Sequence, residues 1–348
     1  MQARFDRREF IVASAAASAA LMFATSARAQ AIEQKKVTIA VGGKNLLYYL
    51  PLTIAEQLKY FEAEGLDLSI VDFAGGARAL QAVVGGSADV VSGAFEHTVN
   101  MQIKGQPMRA FVLQGRAPQI VFGVSTKTMA GFKGLADLKG KKIGVTAPGS
   151  STHVLANFVL ARAGLKTTDV SIIGVGTAQG AVAAMRSGQI DAISNLDPVI
   201  TILSRGGDIK IVSDTRDVAE SDRVFGGPMP AACLYAPVPF VEKNPGTVQA
   251  LTNAIVRANK WIQQAGPSEI IKAVPENYLL GDRAIYIDAY LKAKGALSPD
   301  GMIPDAGPQT ALRALVAADE KLVGSKVDFK AVYTNDFVKR ANAKYPTA

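Results

Sequence analysis

Lys142-Ile-Gly-Val-Thr-Ala-Pro-Gly-Ser-Ser-Thr-His-Val-Leu-Ala-Asn-Phe-Val-Leu-Ala-Arg-Ala-Gly164 is the stretch on which the fold turns. Its first five residues are a short apolar run. Pro148 and Gly149 then bend the chain, and a helical pattern runs from Thr152 to Ala163 before Gly164 stops it. This order is strand, tight turn, helix, with Ser150 or Ser151 able to act as the helix N-cap. A helix start offers free backbone N–H groups and a partial positive charge, so it suits a carboxylate, sulfonate or phosphate. A plain N-cap between strand and helix is the other reading of the same residues.

The alternation extends in both directions. Before the central stretch, apolar runs at Val37–Val41, Leu66–Phe73, Ala88–Ser92 and Met108–Leu113 alternate with helical patterns at Leu50–Ala63, Ala77–Val84 and Glu96–Lys104. After it, runs at Val170–Val175, Ile190–Ser194 and Ile209–Ser213 alternate with helices at Ala178–Ser187 and Val199–Arg205. Such alternation predicts mostly parallel sheets with helices on both faces. Leu80–Gly93 aligns without gaps on Val182–Asn195, each a helix, a Gly stop and an Asp inside a short strand, and Lys35–Ala40 resembles Lys141–Thr146. Two copies of one βαβαβ plan predict two lobes. Gln119–Ser125 leads out of the first lobe and Ala231–Val238 leads back, after the turn-rich Gly226–Pro230, so two crossing strands are expected to form a hinge. The expected division is 36–118 with 236–348 as the first lobe and its C-terminal helices, and 119–235 as the second lobe with the hinge strands. The tail reads as packing helices. One carries Val248, Leu251, Ile255, Ala258 and Ile262 on a stripe, with Trp261 beside it.

The first 29 residues read as an export leader. Arg7-Arg8 precedes an Ala-rich apolar segment, and Ala27-Arg28-Ala29 is a small-x-small cleavage site, which predicts a twin-arginine signal cleaved after Ala29. Asp6 stands where such signals carry Ser or Thr, which leaves the general secretory route open. The segment is too short and Ala-rich for stable membrane insertion. The leader holds four arginines against Asp6 and Glu9, so its removal lowers the formal charge from +8 to +6. The remaining basic residues are scattered, which argues against nucleic acid. Cys233 is the only cysteine and sits in an apolar run, so no intrachain disulfide forms and a buried thiol is expected. With one Cys and two His, neither a metal nor a cofactor is expected. The product is expected to be periplasmic, unanchored and monomeric.

In open α/β sheets ligands bind beyond the carboxyl ends of the strands. That rule selects the loops Gly43–Tyr49, Ala74–Arg78 and Gly93–His97 in one lobe, and Pro148–His153, Gly174–Gln179 and Asn195–Pro198 in the other. Their candidate ligand residues are Lys44, Asn45, Tyr48, Tyr49, Gly76, Arg78, Phe95, Glu96, Gly149, Ser150, Ser151, Thr152, His153, Asn195 and Asp197. Several carry two readings. His153 is a cleft-facing donor or a satisfied helix-start residue; Glu96 is a ligand contact or a solvated helix-start acid. Arg78 pairs with an anion or covers surface, and Tyr48-Tyr49 make an aromatic wall or plain packing. Ser150, His153 and Asp197 contain the letters of a catalytic triad, but no Gly-x-Ser-x-Gly elbow surrounds Ser150, so no catalytic role is assigned.

The leader, Ile39-Ala-Val, the helix from Tyr49 to Leu68, Gly86-Ser-Ala-Asp-Val, Leu138-Lys-Gly-Lys-Lys-Ile-Gly-Val, Pro148–His153 and Gly188-Gln-Ile-Asp-Ala192 together resemble the periplasmic binding proteins of nitrate/sulfonate/taurine-type ABC transporters, over residues 36 to 265. The resemblance implies a two-lobe, hinge-closing fold of the type II periplasmic-binding-protein kind. It also implies capture of a small organic anion (sulfonate, nitrate or carboxylate, an aromatic acid included) and delivery to an ABC permease with its ATPase, without catalysis. In that family the loop matching Gly149–His153 meets the anionic group. Two alternatives stay open: a thiamine-pyrimidine-precursor binding protein or synthase on the same fold, whose Cys- or Glu-rich site is here reduced to Glu96, and a sensor subunit presenting its ligand to a membrane kinase.

Overall fold

A computed structural model describes residues 31–346, and the expected leader lies outside them. Among the described residues ten strands form two five-stranded sheets. They are β1 (Lys36–Val41), β2 (Asp67–Asp72), β3 (Val90–Ala94), β4 (Met108–Leu113), β5 (Val121–Ser125), β6 (Lys142–Val145), β7 (Ser171–Gly174), β8 (Ala192–Asn195), β9 (Ile209–Asp214) and β10 (Ala232–Pro237). The orders are β2-β1-β3-β10-β4 and β7-β6-β8-β5-β9. The helices are α1 (Leu50–Gln57), α2 (Tyr60–Ala63), α3 (Gly76–Val84), α4 (Glu96–Ile103), α5 (Ser151–Ala161), α6 (Gln179–Ser187), α7 (Val199–Arg205), α8 (Val218–Phe225), α9 (Val238–Lys243), α10 (Pro245–Gln264), α11 (Pro267–Ala273), α12 (Arg283–Ala293), α13 (Gly307–Ala318) and α14 (Asp336–Lys344).

The sheets are mixed, not purely parallel. β10 runs antiparallel to β3 and β4, and β5 runs antiparallel to β8 and β9. In each sheet the reversed strand is the one that has just crossed from the other lobe, and it takes the same place in the order. β10 pairs wholly in the first sheet, so the return to the first lobe precedes Ala232 and not residue 236. The crossings lie side by side: the N–H of Gln114 and of Gly115 donates to Ala232 O, and those of Gln119 and Thr215 donate to Thr215 O and Ile120 O. Gln119 sits there in the left-handed region at φ 58.

The repeat persists at the level of single bonds. Thr38 N–H donates to Asp89 Oδ2 at 2.8 Å, and Lys142 N–H donates to Asp191 Oδ2 at 3.0 Å. Each Asp ties the entry of a central strand to its neighbour. The register pairs Ile39 with Val90 and Ile143 with Ala192, so Thr38 is equivalent to Lys142. The two openings are therefore related by an offset two residues different from the one their letters suggest.

The single helix expected over Leu50–Ala63 divides. Lys59, exposed, adopts φ 58 and ends α1 as a glycine would, which redirects α2 and keeps Phe61 buried. α8 is opened by Asp217, whose side chain accepts from Glu220 N–H. It is short and rich in charged and polar residues (Glu220, Ser221, Asp222, Arg223), which is why the alternation of apolar runs misses it. The C-terminal helices do more than pack on one lobe. α13 packs against both α4 and α5, and α12 packs against α7, so the tail spans the seam. Trp261 is partly buried against the core.

Candidate functional site

The carboxyl ends of β1, β3, β6 and β8 face one another across the seam, and the loops chosen from the sequence meet there. Gly149, at φ 86, makes the turn after β6 in a conformation that L side chains rarely adopt. Ser150 follows in extended geometry at the N-cap position of α5, yet its hydroxyl does not cap that helix. Its Oγ instead accepts the N–H of Ala77, in the first turn of α3, at 3.0 Å. The N-termini of two helices, eleven and nine residues long, thus meet across the cleft with one hydroxyl oxygen between them. Further contacts close the seam: Leu47 N–H donates to Asp197 O at 3.2 Å, Asn45 Nδ2 donates to Thr177 O at 3.0 Å, Thr177 Oγ1 donates to Asn45 Oδ1 at 3.4 Å, and Gln179 Nε2 donates to Leu280 O at 3.4 Å.

Two adjoining cavities remain in the seam, of about 20 and 10 Å³. The first is lined by Tyr48, Tyr49, Gly76, Ser150, Ser151 and Thr152. The second is lined by Glu96, Phe225 and Met229 and shares Tyr48, Ile120 and Ser151 with the first. Each has room for about one water, so a bound solute requires the lobes to part from this geometry. No lysine or arginine lines either cavity. The positive potential there comes from the helix N-termini. Tyr48 and Tyr49 stand edge to face, centroids 4.8 Å apart, and burial pushes both phenols above their ordinary range, with Glu96 adding to it.

Other expected site residues serve different ends. Lys44 Nζ is bound to Glu56 at 2.6 Å within the first lobe. Arg78 is exposed on α3 and lines neither cavity. Phe95 is fully buried core, edge to face with Tyr333. Thr152 reaches the first cavity, but its Oγ1 accepts from Thr146 N–H and bonds Thr146 Oγ1. Asn195 donates to Gly176 O and accepts from Leu196 N–H, which fixes its own loop. Asp197 accepts from Thr201 N–H at 2.8 Å and from Arg216 at 3.2 Å; burial pushes its carboxyl upward against those two partners. His153 accepts from Gly149 N–H at 3.0 Å through Nδ1 and faces an outer groove beside Asn157 and the end of α13. It lines neither seam cavity, and its Nε2 is buried without a hydrogen-bond partner.

The sequence reading missed the apolar wall. Ile120 belongs to the hinge, and Phe225 and Met229 stand at the end of α8 and in the return segment. It also missed His97, buried beneath Gly76 with Nδ1 3.0 Å from the Tyr235 hydroxyl; burial lowers its pKa. Cys233 is fully buried and burial pushes its thiol up, as an inert position requires.

A family model described as the NMT1-like family matches residues 30–274. A solved structure from Bordetella bronchiseptica RB50 is 63% identical, covers 91% of this chain and 100% of its own, and superposes with a TM-score of 0.90. The alkanesulfonate-binding protein SsuA from Xanthomonas axonopodis pv. citri, solved bound to MOPS, is 20% identical over 88% of this chain and 100% of its own, TM-score 0.66. The periplasmic nitrate-binding protein NrtA from Synechocystis PCC 6803 is 17% identical over 92% and 91%, TM-score 0.72. The cleft between two mixed sheets and the matched segment lead to one assignment: the chain belongs to the NMT1-like family and has the fold of the periplasmic sulfonate- and nitrate-binding proteins.

Proposed function

We propose that the protein is a periplasmic solute receptor that captures a small organic anion between its lobes and delivers it to an ABC permease and its ATPase, with no bond made or broken. The observation that carries this reading is the pair of helix N-termini, α3 and α5, facing each other across the seam. Ser150 Oγ there occupies the acceptor position that a ligand oxygen would take on the Ala77 N–H. Released N–H groups in a largely apolar, water-poor site hold an anion without a counter-cation. The bilobed fold supplies the motion, and the relatives named for sulfonate and nitrate binding carry the same architecture.

Titration calorimetry against ethanesulfonate, 2-aminoethanesulfonate, nitrate, propionate, β-alanine and benzoate tests it. The expected result is one-to-one binding of at least one member, weakened about 5–30-fold by Ser151→Ala, the loss of a hydrogen bond worth about 1–2 kcal/mol. Absence of binding by every member overturns the reading.

A further inference from the structure

Ser150 stands at the N-cap of α5 but gives its hydroxyl to Ala77 of the opposite lobe. Helix starts often close with a capping box, in which the side chain at the third helical position reaches back to a backbone N–H at the cap. In α5 that third position is His153. Its Nδ1 accepts the N–H of Gly149, one residue before the cap. An imidazole that accepts at Nδ1 and is neutral carries its proton on Nε2. The bond ties down the left-handed turn at Gly149. The next two N–H groups inside that turn, of Ser151 and Thr152, donate to no protein acceptor among the described residues, and both residues line the first cavity. They are the N–H groups that α5 leaves for an anion, and the turn sets their direction. The chain's other histidine, His97, approaches the same Gly149 backbone from the first lobe.

Protonation of His153 would set an Nδ1–H against the Gly149 N–H, two donors with no acceptor between them, and the turn would lose its tie. The charge gained does not compensate at the anion site, because the ring lines the outer groove and neither seam cavity. The charged groups facing it in that groove are Lys166, beyond α5, and Asp319, Glu320 and Lys321 at the end of α13. Lys166 and Glu320 are paired with each other. Burial holds the His153 pKa below 6.5, so the accepting form is the one present at neutral pH.

We propose that His153 is the positioning residue of the anion site: through Nδ1 it holds the Gly149 turn that aims the Ser151 and Thr152 N–H groups, and its protonation releases the bound anion. This rests on the anion-receptor reading above. The test is calorimetry from pH 7.5 to 5 with the panel member that binds wild type most tightly, any carboxylate's own protonation being subtracted. Wild-type affinity should fall about threefold or more over that range. His153→Gln supplies an acceptor that does not titrate; it should keep affinity within about threefold of wild type at pH 7.5 and abolish the fall. His153→Leu supplies no acceptor and should bind about tenfold more weakly at both ends of the range. His97→Gln should keep the fall. A flat wild-type profile, a fall that survives in His153→Gln, or full affinity in His153→Leu overturns the inference and leaves the anion reading standing. Silence from every panel member overturns both. If the variants do not fold, the imidazole nitrogen-15 resonances of wild type decide. An Nε2–H tautomer at pH 7.5 that titrates together with the loss of affinity upholds the proposal; an Nδ1–H tautomer, or titration apart from that loss, overturns it.

Discussion

Gly75 is the residue at which closure can be tested by a single methyl group. Its backbone is extended, so alanine meets no conformational obstacle, but a Cβ there would lie 2.7 Å from Ala147 Cβ and 3.1 Å from Ser150 Oγ of the opposite lobe. Gly75→Ala is a wedge in the seam. We expect it to lower ligand affinity at least tenfold and to enlarge the radius of gyration by small-angle scattering of the liganded protein; unchanged affinity and radius would contradict the closed geometry. His97 and His153, the chain's two histidines, both have pKa values lowered by burial from 6.5. The unfolded chain then binds more protons as pH falls below 6.5, so stability is complete above that value and is lost as pH falls through the folded values. Melting temperature should fall between pH 7 and 5, and His97→Gln should flatten the fall; a flat wild-type profile would contradict it. At this scale Tyr48, Glu96, Ser150 and Ser151 were legible, because a loop after a strand places them at the rim whatever the details. Lys44 and Asp197 reached the candidate set for the same reason. Their partners, Glu56 and Arg216, come from distant segments that no local pattern connects.

The elements carry the internal repeat, and Asp89 and Asp191 are its most direct test. Each carboxylate receives one strand N–H at the same place in its sheet. Asp89→Ala and Asp191→Ala should each cost about 1–2 kcal/mol in urea unfolding, as loss of a hydrogen bond to a charged acceptor does; a loss confined to one of them would argue against structural equivalence. The repeat was visible in letters because helix, Gly stop and Asp recur at fixed spacing. Strand direction was not. Hydrophobic alternation looks the same for β5 and β10 run either way, and their reversal follows from the crossings, which bring each strand into its new sheet from the hinge side. The Lys59 kink was hidden because the apolar spacing of Leu52, Ala55, Leu58 and Phe61 continues through it.

As a whole, the molecule is two pseudo-equivalent lobes, a hinge of two paired segments and a C-terminal tail that spans the seam. Of the ion pairs that tie tail to second lobe, Lys166 with Glu320 at 3.2 Å is exposed and Arg205 with Asp288 at 2.9 Å is partly exposed, and each contributes about 1 kcal/mol or less. They therefore permit the lobes to part. The contact of α13 with α5 must slide in that motion. The central claim is that an anion draws the two helix N-termini together. Spin labels at Ser87→Cys and Ser187→Cys, exposed positions just past the far end of α3 and at the last residue of α6, report it by pulsed dipolar spectroscopy, since the native Cys233 is buried. With a saturating anion from the calorimetric panel the distance distribution should collapse to one short, narrow component, while the ligand-free protein shows a longer one; identical distributions with and without the bound anion would contradict the account.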